Sequence, residues 1–281
     1  MGYTHYSVND RRQRAEAAGF ATRSRDEIFS QQKSQSIHES MDPRKALLRE
    51  SRDSATHPNS IPIIIALDVT GSMGQIPHSL VIDGLPTLMS TIIQHGFPDP
   101  QILFMAIGDQ ECDRFPLQVG QFESGDAELD LWLTRTYLEG GGGGNGGESY
   151  HLAYAFAGLR TAHDAWDKRK QKGLLFTIGD EPCLSHLPPV VLREVMLEES
   201  QKTWTVEQLL QLVQQKYDVF HLHLLQGSAG SRSLGYWQQL LGQHCLVIDN
   251  ISKIPQVIAQ TVIQHAQQYA TKKPTISELM L

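Results

Sequence analysis

The sequence predicts an α/β protein: a doubly wound, Rossmann-like, mostly parallel sheet with helices on both faces, preceded by an irregular N-terminal arm. Three observations carry this. Apolar runs suited to strands alternate with segments of about ten or more residues at helical spacing, the pattern of βαβ units. The strand candidates are continuously apolar, as strands covered on both faces are. No repeat of roughly 20 to 50 residues is visible, which excludes a solenoid.

Residues 1–60 stand apart as a polar arm, with 10 Lys or Arg against 8 Asp or Glu, leaving 14 against 23 for residues 61–281. The arm is rich in Ser, Gln and Arg and cannot build a core alone; short helices are predicted over 23–32 and 42–52, and it should pack on the main domain or on a partner. From residue 61 the α/β domain begins. "IPIIIAL" (61–67) is a central strand, and 79–95 is a helix with Leu80, Leu85, Leu88 and Ile92 at helical spacing, interrupted by Gly84 and Pro86. "QILFMAIGD" (101–109) is a second strand. "RFPLQVGQFES" (114–124) is an edge strand, because Pro116 would damage a central one. Helices over 127–138 and 150–166 flank the loop "EGGGGGNGGES". "GLLFTIGDEP" (173–182) is the third main strand, 205–216 a helix opened by Thr205, and "YDVFHLHLL" (217–225) the fourth strand. Helices over 233–241 and 254–269 surround a last short strand, "HCLVID". Right-handed crossovers between parallel strands then place helices on both faces.

Net charge of −7 argues against broad attraction to nucleic acid or to an anionic membrane. The longest apolar run is too short to span a bilayer, and the polar N-terminus lacks a signal-peptide core. Cys112, Cys183 and Cys245 are widely spaced without a CxxC, which points to a reducing, cytoplasmic setting and away from a cysteine zinc site.

Three apolar strands end on aspartate: Asp68, Asp109 and Asp180. In an open parallel sheet these ends share one edge, where such folds bind ligands. Each aspartate alone could simply cap the next helix. Asp68-x-Thr70-x-Ser72 adds two hydroxyls, and carboxylates beside neutral hydroxyls are the ligands of a hard cation such as Mg²⁺, Mn²⁺ or Ca²⁺. The five glycines of Gly140–Gly144 lack a following Lys-Ser/Thr, so a nucleotide P-loop is not supported. His221 and His223 share a strand face and are expected as core histidines, and Cys183 as an inert buried thiol.

"DVTGSM" resembles the Asp-x-Ser-x-Ser metal-ion-dependent adhesion site of von Willebrand factor A domains, with Thr70 in place of the first Ser. "GGGGNGGES" is similar to that family's Gly-rich second motif and "FTIGDEP" to the strand ending in its last aspartate. The resemblance runs from residue 61 to the C-terminal helix. It implies that Asp68, Thr70 and Ser72 contact a metal and that Asp180 bridges through water. In the second motif the family commonly offers a Thr hydroxyl, and Gly144 falls at that position here; Asn145, Glu148 or a water takes over. Asp109 is either a nearby acid or a cap. The resemblance further implies a metal-dependent protein-interaction module whose open coordination position takes an Asp or Glu from a partner. Bacterial intracellular members often work beside AAA+ ATPases, which makes such an ATPase a partner class.

A competing expectation is an enzyme. Asp68-Val-Thr-Gly-Ser is similar to the Asp-Lys-Thr-Gly-Thr of aspartyl-phosphate transferases of haloacid-dehalogenase type, with Asp68 as nucleophile and Asp180 as Mg²⁺ ligand. Val69 replaces the Lys, Thr70 the general acid, and Glu181 would have to supply the second acid.

Overall fold

The computed structural model describes residues 4–97, 99–141, 145–225 and 227–271. Among the described residues there are ten strands: β1 Arg49–Ser51, β2 Ile61–Asp68, β3 Pro100–Ile107, β4 Leu117–Val119, β5 Thr161–His163, β6 Gly173–Gly179, β7 His186–Leu187, β8 Trp204–Thr205, β9 Tyr217–Leu224 and β10 Cys245–Ile248. The central sheet has the order β10-β9-β6-β2-β3-β4, parallel throughout except for β4, which runs antiparallel on the edge. The protein is thus mixed α/β with a mostly parallel sheet flanked by helices. The chain leaves β2 for β3 on one side and later returns to β6 on the other, so the strand order reverses at β2/β6.

Alternation along β2 supplies both faces of the core. Ile63, Ile65 and Leu67 pack with Leu85, Leu88 and Ile92 of the Leu85–Gln94 helix and with Ile258 and Val262 of the C-terminal Ile254–Thr271 helix. Ile64 and Ala66 pack on the opposite face, with the Tyr150–Arg160 and Val206–Val213 helices and Trp237. Ile76–Gln94 is the one helical stretch among the described residues that is long and apolar enough to cross a membrane. Its apolar residues Val81, Leu85, Leu88, Met89 and Ile92 lie in the core.

The arm lies against the domain. Its first helix, Val8–Ala18, is capped by the Ser7 hydroxyl, which accepts from Asp10 N–H, and ends on Gly19 in the left-handed conformation (φ 68°). Arg11 is buried: its guanidinium donates to Asp130 Oδ1 at 3.0 Å and to the carbonyls of Val81 and Ile82. Farther along, Gln32 and Leu138 exchange two hydrogen bonds, and Ile28 and Phe29 enter the core. His57 closes the arm's start. Its Nε2 lies 3.0 Å from the Thr4 carbonyl and 3.1 Å from Ser124 Oγ, and Nδ1 faces Asp99 Oδ1 at 3.2 Å. A carbonyl only accepts, and Ser124 Oγ also donates to Thr4 O at 2.8 Å. This Ser–His–Asp group is therefore a clamp on the chain.

Several local expectations need correction. Residues 42–52 do not form a helix: Asp42 Oδ1 accepts the Arg44 N–H at 2.9 Å and fixes a turn, after which β1 pairs with β5. The helix expected over 150–166 stops at Arg160 for the same reason; Thr161 Oγ1 donates to Ala157 O at 2.6 Å, β5 follows, and a separate helix covers Asp164–Arg169. A Val8–Ala18 helix, a Pro189–Met196 helix and the small β7/β8 pair were not expected from the sequence.

Candidate functional site

Parallel pairing of β2 with β6 brings the end of β2 beside the end of β6, and with them Asp68 and Asp180. The turn after Asp68 supplies the rest. Asp68 is fully buried; its Oδ1 accepts from Thr70 N–H at 2.8 Å and from Thr70 Oγ1 at 2.6 Å. Ser72 Oγ donates to Asp180 Oδ1 at 2.8 Å and stands 3.5 Å from Thr70 Oγ1. Asp68, Thr70, Ser72 and Asp180 are therefore one continuous oxygen cluster, exposed at Ser72 and buried at the other three.

Two features hold this cluster, the first of them missed in the sequence. Tyr150, first residue of its helix, donates its hydroxyl to Asp68 Oδ2 at 3.1 Å. Burial and the neighbouring carboxylates hold its phenol far above the ordinary range, so it stays a donor. Gly179 makes room for that hydroxyl: a Cβ there would stand 1.8 Å from it. A glycine inside a strand pattern is the signal that could have pointed to so close an approach. The Gly-rich loop is the second support. Gly71 N–H donates to Gly141 O at 2.5 Å and Gly140 N–H to Val69 O at 3.3 Å. A Cβ on Gly71 would press on both loop carbonyls, at 2.9 and 3.1 Å.

The remaining candidates separate. Glu148 comes to the cluster: it is buried, close to Thr70 and Asp68, and its Oε2 has no partner. Asn145 does not; it is exposed, and its amide donates to Glu111 Oε2 at 3.0 Å. Asp109 caps its own turn, with Oδ1 accepting from Glu111 N–H at 2.8 Å, while its buried Oδ2 has no partner. Gly144 lies outside the described residues. His221 serves the core, its Nδ1 2.8 Å from Thr177 Oγ1 and its ring stacked on Trp237 at 3.5 Å; His223 Nε2 lies 2.7 Å from Gly230 O. Cys183 is buried, which pushes its thiol far up and leaves it inert.

Electrostatically the cluster lacks positive charge. Among the described residues no Lys or Arg forms an ion pair with Asp68, Asp109, Glu148 or Asp180. Burial, opposed by the Thr70 hydrogen bonds and reinforced by Asp180, pushes the Asp68 carboxyl up to about 7. Burial, then repulsion from Asp68, Asp109 and Asp113, pushes Glu148 up to about 9. The hydroxyl protons of Thr70 and Ser72 are already spent on carboxylates, so what the cluster still presents is lone pairs. Such an arrangement suits protonation or a hard cation. No three His, Cys, Asp or Glu among the described residues stand close enough to hold a metal by themselves, so the two hydroxyls would have to complete any ligand set here. A cavity of about 550 Å³ opens elsewhere, where Ile61 and Pro62 begin β2, with Asp99 and Lys172 in its wall. Among the described residues, Asp99 is the one carboxylate in its lining.

No protein-family model and no curated protein matches the sequence. Among solved structures, the fold resembles the pilus adhesin SpaC of Lactobacillus rhamnosus GG in its open conformation, with a TM-score of 0.54 and 7% identity over 79% of this chain and 31% of the adhesin. A second crystal form of SpaC matches at 0.53 and 7% identity, over 79% and 32%. Proximal thread matrix protein 1 of the mussel byssus matches at 0.46 and 9% identity, over 77% and 49%. The chain thus spans about a third of the adhesin's length, and at such identities the SpaC likeness is one of fold alone.

Proposed function

We propose that this chain is a von Willebrand factor A-like, doubly wound domain that binds a divalent cation, Mg²⁺, Mn²⁺ or Ca²⁺, and uses it to recognise a protein partner. One observation carries the proposal: Thr70 and Ser72 each give their proton to a different carboxylate, Asp68 and Asp180, while their oxygens stand 3.5 Å apart at the β2/β6 switch point. Asp68, Thr70 and Ser72 would hold the ion, with Asp180 in reach through Ser72 or a water. Neutral hydroxyls leave a bound cation short of negative charge, and an Asp or Glu from a partner supplies it. An AAA+ ATPase is the partner class that the sequence resemblance favours, and the cysteine usage favours a cytoplasmic setting.

A phosphoryl-transfer enzyme fits less well. Val69 stands where the aspartyl-phosphate motif carries its Lys and Thr70 where it carries the general acid, and Thr70 instead gives its proton to Asp68 Oδ1 at 2.6 Å. Calorimetric titration of the chain with Mg²⁺, Mn²⁺ and Ca²⁺ tests the proposal: the native protein takes up one ion and Asp68→Ala takes up none. Equal behaviour of the two, or a pull-down unaffected by chelator, would refute it. Turnover of a generic phosphate ester abolished by Asp68→Asn would favour the enzyme instead.

A further inference from the structure

His57, Ser124 and Asp99 meet at the end of the sheet opposite the oxygen cluster. His57 precedes β2 and Asp99 precedes β3, while β4 runs back antiparallel and the Ile102–Glu123 bridge returns Ser124 to where β3 starts. The contacts follow the order found around an activated serine. Ser124 Oγ lies 3.1 Å from His57 Nε2, and Nδ1 lies 3.2 Å from Asp99, whose other oxygen accepts Asn59 N–H at 3.1 Å. All three residues are at most 4% exposed. The arm is what covers them. Thr4 O accepts from Ser124 Oγ at 2.8 Å and from Nε2 at 3.0 Å, so Nε2 is here a donor and not a base. Thr4 also packs on Gly125, where a Cβ would stand 2.0 Å from its Oγ1, and the His5 ring lies 4.7 Å from that of His57. His5 and Asp99 both line the cavity of about 550 Å³.

We propose that Ser124 and His57 form a serine hydrolase site for carboxylic esters, held shut by the Thr4–His5 segment of the arm. The Thr4 carbonyl occupies the place of an ester carbonyl, and the adjoining cavity, walled by Pro58, Ile61 and Phe97, takes the apolar part of the ester. When the segment lifts, Nε2 gives up its proton to water and, with Nδ1 still facing Asp99, accepts from Ser124. Ser124 Oγ then adds to the ester carbonyl carbon while its proton passes to Nε2; the bond from that carbon to the alcohol oxygen breaks, and the alcohol leaves with the proton. Water, giving a proton to Nε2 in turn, cleaves the acyl–Ser124 bond, and that proton returns to Ser124 Oγ as the acid departs. The Asp126–Thr134 helix starts at its N-cap Gly125 without a side-chain cap, so the main-chain N–H groups that follow Ser124 are open to the oxyanion once Thr4 has gone. No step involves the cation site.

The probes are a fluorophosphonate, which labels activated serines, and 4-nitrophenyl acetate, both used on the full chain. Two variants unseat the arm without altering Ser124 or His57. Gly125→Ala places a Cβ against Thr4 in a backbone conformation that alanine adopts freely (φ −77°, ψ 147°), and His5→Ala removes the ring beside His57. Each should label Ser124, located by peptide mass, about tenfold or more faster than the native chain, because a covered site is open only about 0.1–10% of the time. Each should also release nitrophenol faster. In the Gly125→Ala background, His57→Gln should slow labelling about 100-fold or more, and Ser124→Ala should abolish it. Should Gly125→Ala melt early in urea, His5→Ala carries the same expectation; should both melt early, the native chain must still take label slowly at Ser124. Folded variants that label Ser124 no faster than the native chain, label that survives His57→Gln, or a native chain that never takes label would overturn the proposal and leave these residues a clamp alone.

Discussion

Replacing Gly179 by alanine probes how closely the site is built around Tyr150. A Cβ there would lie 1.8 Å from the Tyr150 hydroxyl, 2.8 Å from its ring carbon Cζ and 3.1 Å from Asp68 Oδ2. Tyr150 has nowhere to go: it is fully buried, edge-on to His221 and Trp237 with ring centroids 5.4 and 5.3 Å away. Overpacking of this kind costs about 1–3 kcal/mol, and loss of the Tyr150–Asp68 hydrogen bond about 1.5–3 kcal/mol if Asp68 is ionised. Gly179→Ala should therefore cost roughly 2.5–6 kcal/mol. Tyr150→Phe should lose only the hydrogen-bond part. In the double variant the worst contact disappears while Cζ remains tight, so its cost should fall below the sum of the singles by about 1 kcal/mol or more. Urea unfolding at matched m values measures all three. A Gly179→Ala change within about 0.5 kcal/mol of native, or strict additivity in the double variant, would refute this account of the strand end.

Other outcomes follow from single contacts. Thr70→Ala should weaken Mn²⁺ binding while the melting curve of the metal-free protein stays cooperative; unchanged affinity by calorimetry would remove Thr70 from the ligand set. His163 is buried, accepts Trp166 N–H on Nδ1 at 3.1 Å and places Nε2 3.2 Å from Lys216 O, so the neutral ring is fixed. Burial holds it down at about 4. A base whose folded value is depressed gives stability that is present above its unfolded value and is lost as pH falls. The native protein should thus lose up to about 3 kcal/mol between pH 6.5 and 4 through this residue, and His163→Gln should flatten that slope in urea melts; an identical slope would sink the assignment. Arg11→Ala leaves the buried Asp130 with only the more distant Arg14, its Nε 3.8 Å from Oδ2, a change that costs up to about 3–5 kcal/mol, and should speed proteolysis within residues 4–60. Native-like cleavage would mean that Arg11 does not anchor the arm.

The parts of the site legible in the sequence are those governed by a short-range rule. A parallel strand must end at the ligand-binding edge, so "IIIALD" and "FTIGD" announced Asp68 and Asp180 before any coordinate, and the two-residue spacing to Thr70 and Ser72 came with the turn. The order of the sheet, with β6 beside β2, then brought them within one cluster. Loop side chains obey no such rule. Nothing local tells that Asn145 turns outward to Glu111 while Glu148, three residues on, is pinned against Pro182 and Leu184.

Tyr150 was hidden for a related reason. At the head of an apolar helix its ring looked like core, and its hydroxyl finds Asp68 only because the helix docks across β2 and because Gly179 lacks a side chain. The arm shows the same limit on a larger scale. Its composition cannot support a core, yet Arg11 reaches Asp130 and the carbonyls of Val81 and Ile82, Arg52 reaches Asp164 at 2.8 Å, and His57 reaches Ser124. These partners lie far along the chain, so hydropathy windows see only a polar segment. The charges that made residues 1–60 read as solvated are in part the ones that fasten it. A polar stretch whose Lys and Arg outnumber its own acids, 10 to 8 here, therefore has two physical fates, and which one it takes depends on acids that other elements leave buried without a partner of their own, as the Asp126–Thr134 helix does with Asp126 and Asp130.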